Sequence, residues 1–181
     1  KGLNIKSDFI YRHLINNQEK YKTQSLFSVL EKYGYENYLV SGLGGFENYA
    51  IEWNKILSFL GTKNVIKYAD LEYKGETFNF GPSAPDQYLL NKARALIEEK
   101  TLGKPFALFL ETINSHYNFD SPTLLLDDWK RCSMASRKDF NPLQNLSEKV
   151  SENYFEAINY QLECLVDFIL KDKEKLLVQI L

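Results

Sequence analysis

Apolar positions along the chain recur at two different periods, and the changes of period mark its elements. Over residues 25–33, Leu26, Val29, Leu30 and Tyr33 fall at helical spacing, and Gly34 follows as a C-terminal cap. Residues 35–40 read as a strand, and residues 41–45 as the loop leaving it. Residues 46–60 are predicted to be helical and to stop at Gly61, with a short second strand over 65–68. Residues 75–85 form a loop with two prolines, and Pro85-Asp86 opens a helix through Glu99. Leu89, Leu90, Ala93, Leu96 and Ile97 share one face of that helix. Residues 106–112 are a continuous apolar run, as in a strand buried on both faces of a parallel sheet. Residues 120–147 show little periodicity. Over 152–170, the spacing of Tyr154, Ile158, Leu162, Leu165 and Ile169 predicts a long helix. Residues 176–181 read as a buried strand cut off at its far end, so the chain reads as a piece of a longer protein.

Strands alternating with amphipathic helices predict an α/β sandwich around a mainly parallel sheet. Residues 35–40, 106–112 and 176–181 should be neighbouring strands in it. Working groups in such sheets sit on loops leaving the carboxyl ends of strands, which singles out residues 41–49 and 113–122. A length of 181 residues suits one domain, and 12 Tyr, 12 Phe and 2 Trp can build a large core in it. The 22 Lys and Arg against 24 Asp and Glu leave a net charge of -2, which gives no general attraction to nucleic acid or to an anionic membrane. No nucleic-acid partner is expected. No apolar run has the length of a membrane span. Cys132 and Cys164 with His13 and His116 show none of the spacings of a structural zinc site, and whether the two cysteines pair is left open.

His116 follows directly on the apolar run, where an α/β enzyme exposes working side chains. An imidazole there can donate a hydrogen bond to an anionic oxygen, ligate a metal or shuttle a proton. The run from Lys104 through Asn114-Ser115-His116-Tyr117 to Phe119 resembles a segment of the sulfatase/alkaline phosphatase superfamily. It looks most like the lipoteichoic acid synthase and phosphoglycerol transferase branch. Four other segments are similar in the right order: residues 25–35, Gly45-Phe46-Glu47-Asn48 with Phe59-Leu60-Gly61, Pro85-Asp86-Gln87-Tyr88-Leu89, and the helix from Tyr154 to Ile169. The resemblance covers roughly residues 25–181.

The resemblance implies an alkaline-phosphatase-like three-layer α/β/α sandwich with a mainly parallel sheet, present here as one partial domain over residues 1–181. It implies a phosphate- or sulfate-ester substrate, cleaved or transferred as in a phosphoglycerol transferase. His116, Ser115 and Asn114 are the substrate-binding residues it carries over, with His116 bonding the anionic group or the leaving oxygen and its two neighbours shaping the loop. A divalent metal (Mn, Mg, Ca or Zn) is implied for the full-length protein, and none is expected bound to this chain. Neither the family's nucleophile segment nor its downstream Asp-His metal pair has a match here, so no catalytic residue and no metal ligand is assigned. Family branch also implies an extracytoplasmic site of action, periplasmic or at the cell surface, in a membrane-anchored parent of unknown oligomeric state.

Three departures bear on this. Ser41-Gly42 stands where the transferase branch carries a pocket histidine, and Glu47 and Tyr49 replace its Trp and Arg. Ser133-Met134-Ala135-Ser136-Arg137, beside Cys132, fits a sulfatase nucleophile pattern but follows the histidine loop instead of preceding it, so coincidence is the better reading. Trp53 reads as core, and His13 as a surface histidine. The rival expectation is a non-catalytic binding module that kept the scaffold and lost the metal centre.

Overall fold

The structure is a computed structural model describing residues 13–17, 20, 24–44, 50–78, 82–117, 119–143 and 149–171, with the side chains of 50–53 excepted. Among the described residues, three parallel strands form a sheet, β1 (Glu36–Ser41), β2 (Asn64–Ile66) and β3 (Phe106–Glu111), in the order β2-β1-β3. Val40 at the centre lies opposite Ile66 on one side and Leu110 on the other. Helices among the described residues include α1 (Leu26–Lys32), α2 (Ala50–Leu60), α3 (Asp86–Thr101) and α4 (Val150–Leu170).

Side chains alternate across a strand, and that sorts the layers. Tyr38 and Val40 of β1 belong to the main core with Leu89, Ala93 and Ile97 of α3. Asn37 points the other way, where its side-chain amide donates to the carbonyl of Phe27 in α1 at 2.9 Å. Helices therefore cover opposite faces of β1, giving the α/β/α arrangement that the resemblance implies. Ser25 starts α1 by accepting from the N–H of Ser28 at 3.0 Å, and its own hydroxyl donates to Leu60 at the end of α2. Gly34 ends α1 with a φ of 84°.

The structure departs from the pattern in several places. The long helix α4 buries Asn153, Ala157, Tyr160, Cys164 and Phe168, a stripe beside the one its apolar spacing suggested. Tyr154 and Leu162 of the expected stripe are 42% and 48% exposed. Apolar residues flank both sides of this helix, so spacing alone does not say which side meets α3. β3 is not buried on both faces among the described residues: Phe109 is 53% exposed, because only one flank of β3 is paired and no described helix covers that side. The second strand stops at Ile66, and residues Tyr68–Leu71 form a 3-10 turn begun by the Lys67 N–H donating to Asp70 at 2.8 Å. The aperiodic stretch holds two further 3-10 turns, Trp129–Ser133 and Arg137–Phe140, whose Cys132 and Phe140 are fully buried in the main core. Residues 46–49 and 176–181, and the side chain of Trp53, lie outside the described residues.

Gly34 occupies the left-handed region with open space around it, so a side chain there meets backbone strain and no clash. Gly34→Ala should lower stability by about 1 kcal/mol in urea denaturation, with an unchanged slope against denaturant.

Candidate functional site

The first turn of α3 has no side-chain cap of its own, because its N-cap is Pro85. Its exposed N–H groups need acceptors from elsewhere. Asn114, in the loop after β3, supplies one: its Oδ1 accepts from the N–H of Asp86 at 2.7 Å. Asp86 returns the favour to the loop. Its Oδ1 accepts from the N–H of Ile113 at 3.1 Å, and its Oδ2 from the N–H of Asn114 at 3.4 Å. Gln161 of α4 donates to the same Oδ2 at 3.4 Å and also to the hydroxyl of Thr112. Asp86 and Asn114 are both fully buried.

From this root the loop turns outward. The N–H of His116 donates to the carbonyl of Ile113 at 2.9 Å, and the carbonyl of His116 accepts from Phe119 at 2.8 Å. Phe119 allows the turn with a φ of 55°. The His116 ring is exposed at the carboxyl end of β3. Its Nδ1 lies 2.6 Å from the carbonyl of Tyr117. A carbonyl only accepts, so Nδ1 carries the proton and Nε2 is the lone-pair nitrogen of the neutral ring. Beside it runs a row of aromatic rings in contact, Tyr117, Phe119, Tyr154 and Phe155, with centroids 5.3 to 5.6 Å apart. Of the three residues singled out from sequence, His116 is exposed, Ser115 half-buried and Asn114 buried at the root, where it braces the loop.

The loop after β1 is packed tightly. Leu43 bridges to Ser83, and the N–H of Gly44 donates to the carbonyl of Pro82 at 2.7 Å. A Cβ on Gly42 would come within 2.6 Å of the Leu89 side chain, so a histidine does not fit there without displacing the core. Glu47 and Tyr49 lie outside the described residues.

The remaining candidates have structural partners. Ser133 donates its hydroxyl to the carbonyl of Lys130 at 3.0 Å, inside a 3-10 turn. Arg137 donates to the carbonyl of Thr77 at 2.6 Å, pairs with Asp120, and lies 4.6 Å over the Phe78 ring. Cys132 and Cys164 are free and buried, and burial pushes the Cys132 thiol up to about 12. Such a thiol is a poor nucleophile. His13 is exposed, as expected of a surface residue. Among the described residues, no cluster of three or more His, Cys, Asp or Glu could hold a metal ion. Those residues do not fit a divalent metal.

Sequence reasoning missed Asp86 and Gln161 as parts of the site. An acid in the first turn of a helix reads as a solvated partner of the helix dipole. The sequence signal that points inward is its setting, a proline before it and the apolar run Tyr88-Leu89-Leu90 just after it.

The family model named Sulfatase matches residues 3–171. Two solved structures share the fold. One is the lipoteichoic acid synthase LtaP from Listeria monocytogenes, with a TM-score of 0.55 and 23% identity, covering 81% of this chain and 32% of that one. The other is a protein in the alkaline phosphatase superfamily from Vibrio parahaemolyticus, with a TM-score of 0.51 and 19% identity, covering 81% of this chain and 31% of that one. The chain thus spans about a third of the length of each. No curated protein matches it. At these identities the likeness shows the alkaline-phosphatase-like fold alone.

Burial raises the Asp86 carboxyl to about 6 from an ordinary 3.8, outweighing the N–H groups of Ile113 and Asn114 and the Gln161 amide, which lower it. The folded chain therefore binds this proton more tightly than the unfolded one. The stability Asp86 contributes is fully present below 3.8 and is lost as the pH rises through about 6, a change of about 3 kcal/mol. Urea denaturation at several pH values should show the wild type losing about that much relative to Asp86→Asn between about pH 4 and 7. A difference that stays flat, or grows the other way, would contradict the raised carboxyl.

Proposed function

Since the chain belongs to the sulfatase family, we propose that it is the central part of a domain that cleaves or transfers phosphate or sulfate esters, and that His116 is its contact to the ester. The observation that carries the reading is the exposed imidazole at the carboxyl end of a parallel strand, on a loop whose root is fixed in the core. Parallel α/β sheets place working groups there. The proton on Nδ1 and its contact to the Tyr117 carbonyl orient the ring. Protonated, Nε2 donates to an anionic ester oxygen or passes its proton to the leaving oxygen; neutral, it accepts one. Ser115 shapes the loop beside the substrate, and Asn114 holds its root from within the core.

Transfer of a phosphoglycerol group, action outside the cytoplasm, and a membrane-anchored parent that uses a divalent metal belong to the same proposal. The fold shared with a lipoteichoic acid synthase and with an alkaline phosphatase superfamily member supports them. No described helix is long and apolar enough to cross a membrane.

The test is the full-length protein with Mg, Mn, Ca or Zn added, assayed on p-nitrophenyl phosphate, p-nitrophenyl sulfate and phosphatidylglycerol. Turnover on at least one is expected, and His116→Ala should lower it by about 10²-fold or more, the scale of losing a hydrogen bond that strengthens in the transition state. The melting temperature should change little, because the exposed ring makes few packing contacts. A variant that loses several degrees and keeps normal turnover would show that His116 only braces its loop. Absence of turnover on all three, with sulfate still bound at His116, would favour the binding module.

A further inference from the structure

Asp86, Asn114 and Gln161 come from three separate elements and meet at the root of the His116 loop. A helix cap would need only the bond from the Asp86 N–H to Asn114 Oδ1. The two bonds that return from the Asp86 carboxylate to the N–H groups of Ile113 and Asn114 do something else: they fix the peptide planes from which the loop departs. The carbonyl of Ile113, on the far side of that same residue, accepts from the N–H of His116. Any rotation of this short stretch therefore swings His116.

We propose that Asp86 is a positioning residue for His116, holding the exit of β3 through a carboxylate clasp completed by Asn114 and Gln161. What His116 contacts rests on the preceding reading; the clasp itself does not. A carboxyl suits the task because its two oxygens can accept separate N–H groups when ionised and one still accepts when protonated, whereas an amide permanently turns two donors outward from one of its ends. Gln161 ties Oδ2 to Thr112, the residue just beyond β3, so that α4 also sets the clasp.

The titratable groups facing Asp86 from α4 are Tyr160 and Cys164, both raised by burial and neutral at ordinary pH. On α3, Tyr88 is likewise raised by burial. On the loop, His116 and Tyr117 are exposed to solvent. Asp86 is thus the buried acid there that changes charge under mildly acidic conditions.

Amide hydrogen exchange of the 181-residue chain, read by NMR, tests the clasp, with sulfate as the anion probe because it stays a dianion throughout. In Asp86→Ala, exchange at Ile113 and Asn114 should quicken about tenfold or more while Leu39 and Val40 keep their protection. The sulfate needed to shift the His116 ring signals should rise severalfold. Uniform loss of protection across all four amides, with an unchanged sulfate response, would reduce Asp86 to a general stabilising role and overturn the proposal.

If the variant does not fold, the wild type decides. Opening the loop returns the Asp86 carboxyl to water, so the closed loop binds the proton more tightly than the open one. Protection at Ile113 and Asn114, corrected for intrinsic exchange, should fall as the pH rises from about 4 to 6 and then level off. Protection at Ile113 and Asn114 that follows Leu39 and Val40 at every pH overturns the proposal. A wild type whose His116 signals ignore sulfate counts against the functional reading, and the exchange data still settle the clasp.

Discussion

A buried carboxylate at the start of α3 ties the molecule together. Asp86 needs donors because water is excluded from it, and the loop after β3 needs acceptors because its N–H groups are buried too. Each satisfies the other, and neither could be buried alone without a cost of several kcal/mol. The exchange explains why a helix that begins with proline can start in the core without a capping side chain of its own. It also explains how a loop ending in an exposed histidine can leave the sheet in one direction.

Much of the scaffold was legible in the chain. The Ser25 start and Gly34 stop of α1, the strand that follows, and the Pro85-Asp86 opening of α3 are local features, decided by a few neighbouring residues. The parallel order of β1 and β3 followed from the intervening helix. What escaped depends on contacts distant in sequence. The buried side of α4 is chosen by its meeting with Leu90 and Leu110, and its own spacing offered two stripes. The exposure of Phe109 reflects which strands flank β3, information that no local window holds.

The site was half legible. His116 stood out because it sits in a run, Lys104 through Phe119, that resembles a sulfatase segment; a histidine after a strand would otherwise read as bracing its loop. Asp86 and Gln161 did not, since an acid in a first helical turn and a glutamine amid a long helix are ordinary in solvent. Their meaning comes from residues 27 and 75 positions away, which the bonds to Ile113 and Asp86 make plain. Arg137 taught the reverse. In sequence it completed a nucleophile pattern, while in the fold it lies over Phe78 and pairs with Asp120, joining three stretches of irregular chain.

The close approach of Gly42 to Leu89 constrains how this framework can change over evolutionary time. The turn after β1 and the core face of α3 share the same few cubic ångströms, so the two positions behave as one. A bulky side chain at position 42 would first need a smaller residue at 89, and the intermediate would carry a hole in the main core. That coupling makes a larger residue in the turn hard to reach one substitution at a time. Descendants of this chain would more readily acquire new contacts on the side of Tyr117 and Phe155, where the rings are exposed and no core residue has to yield.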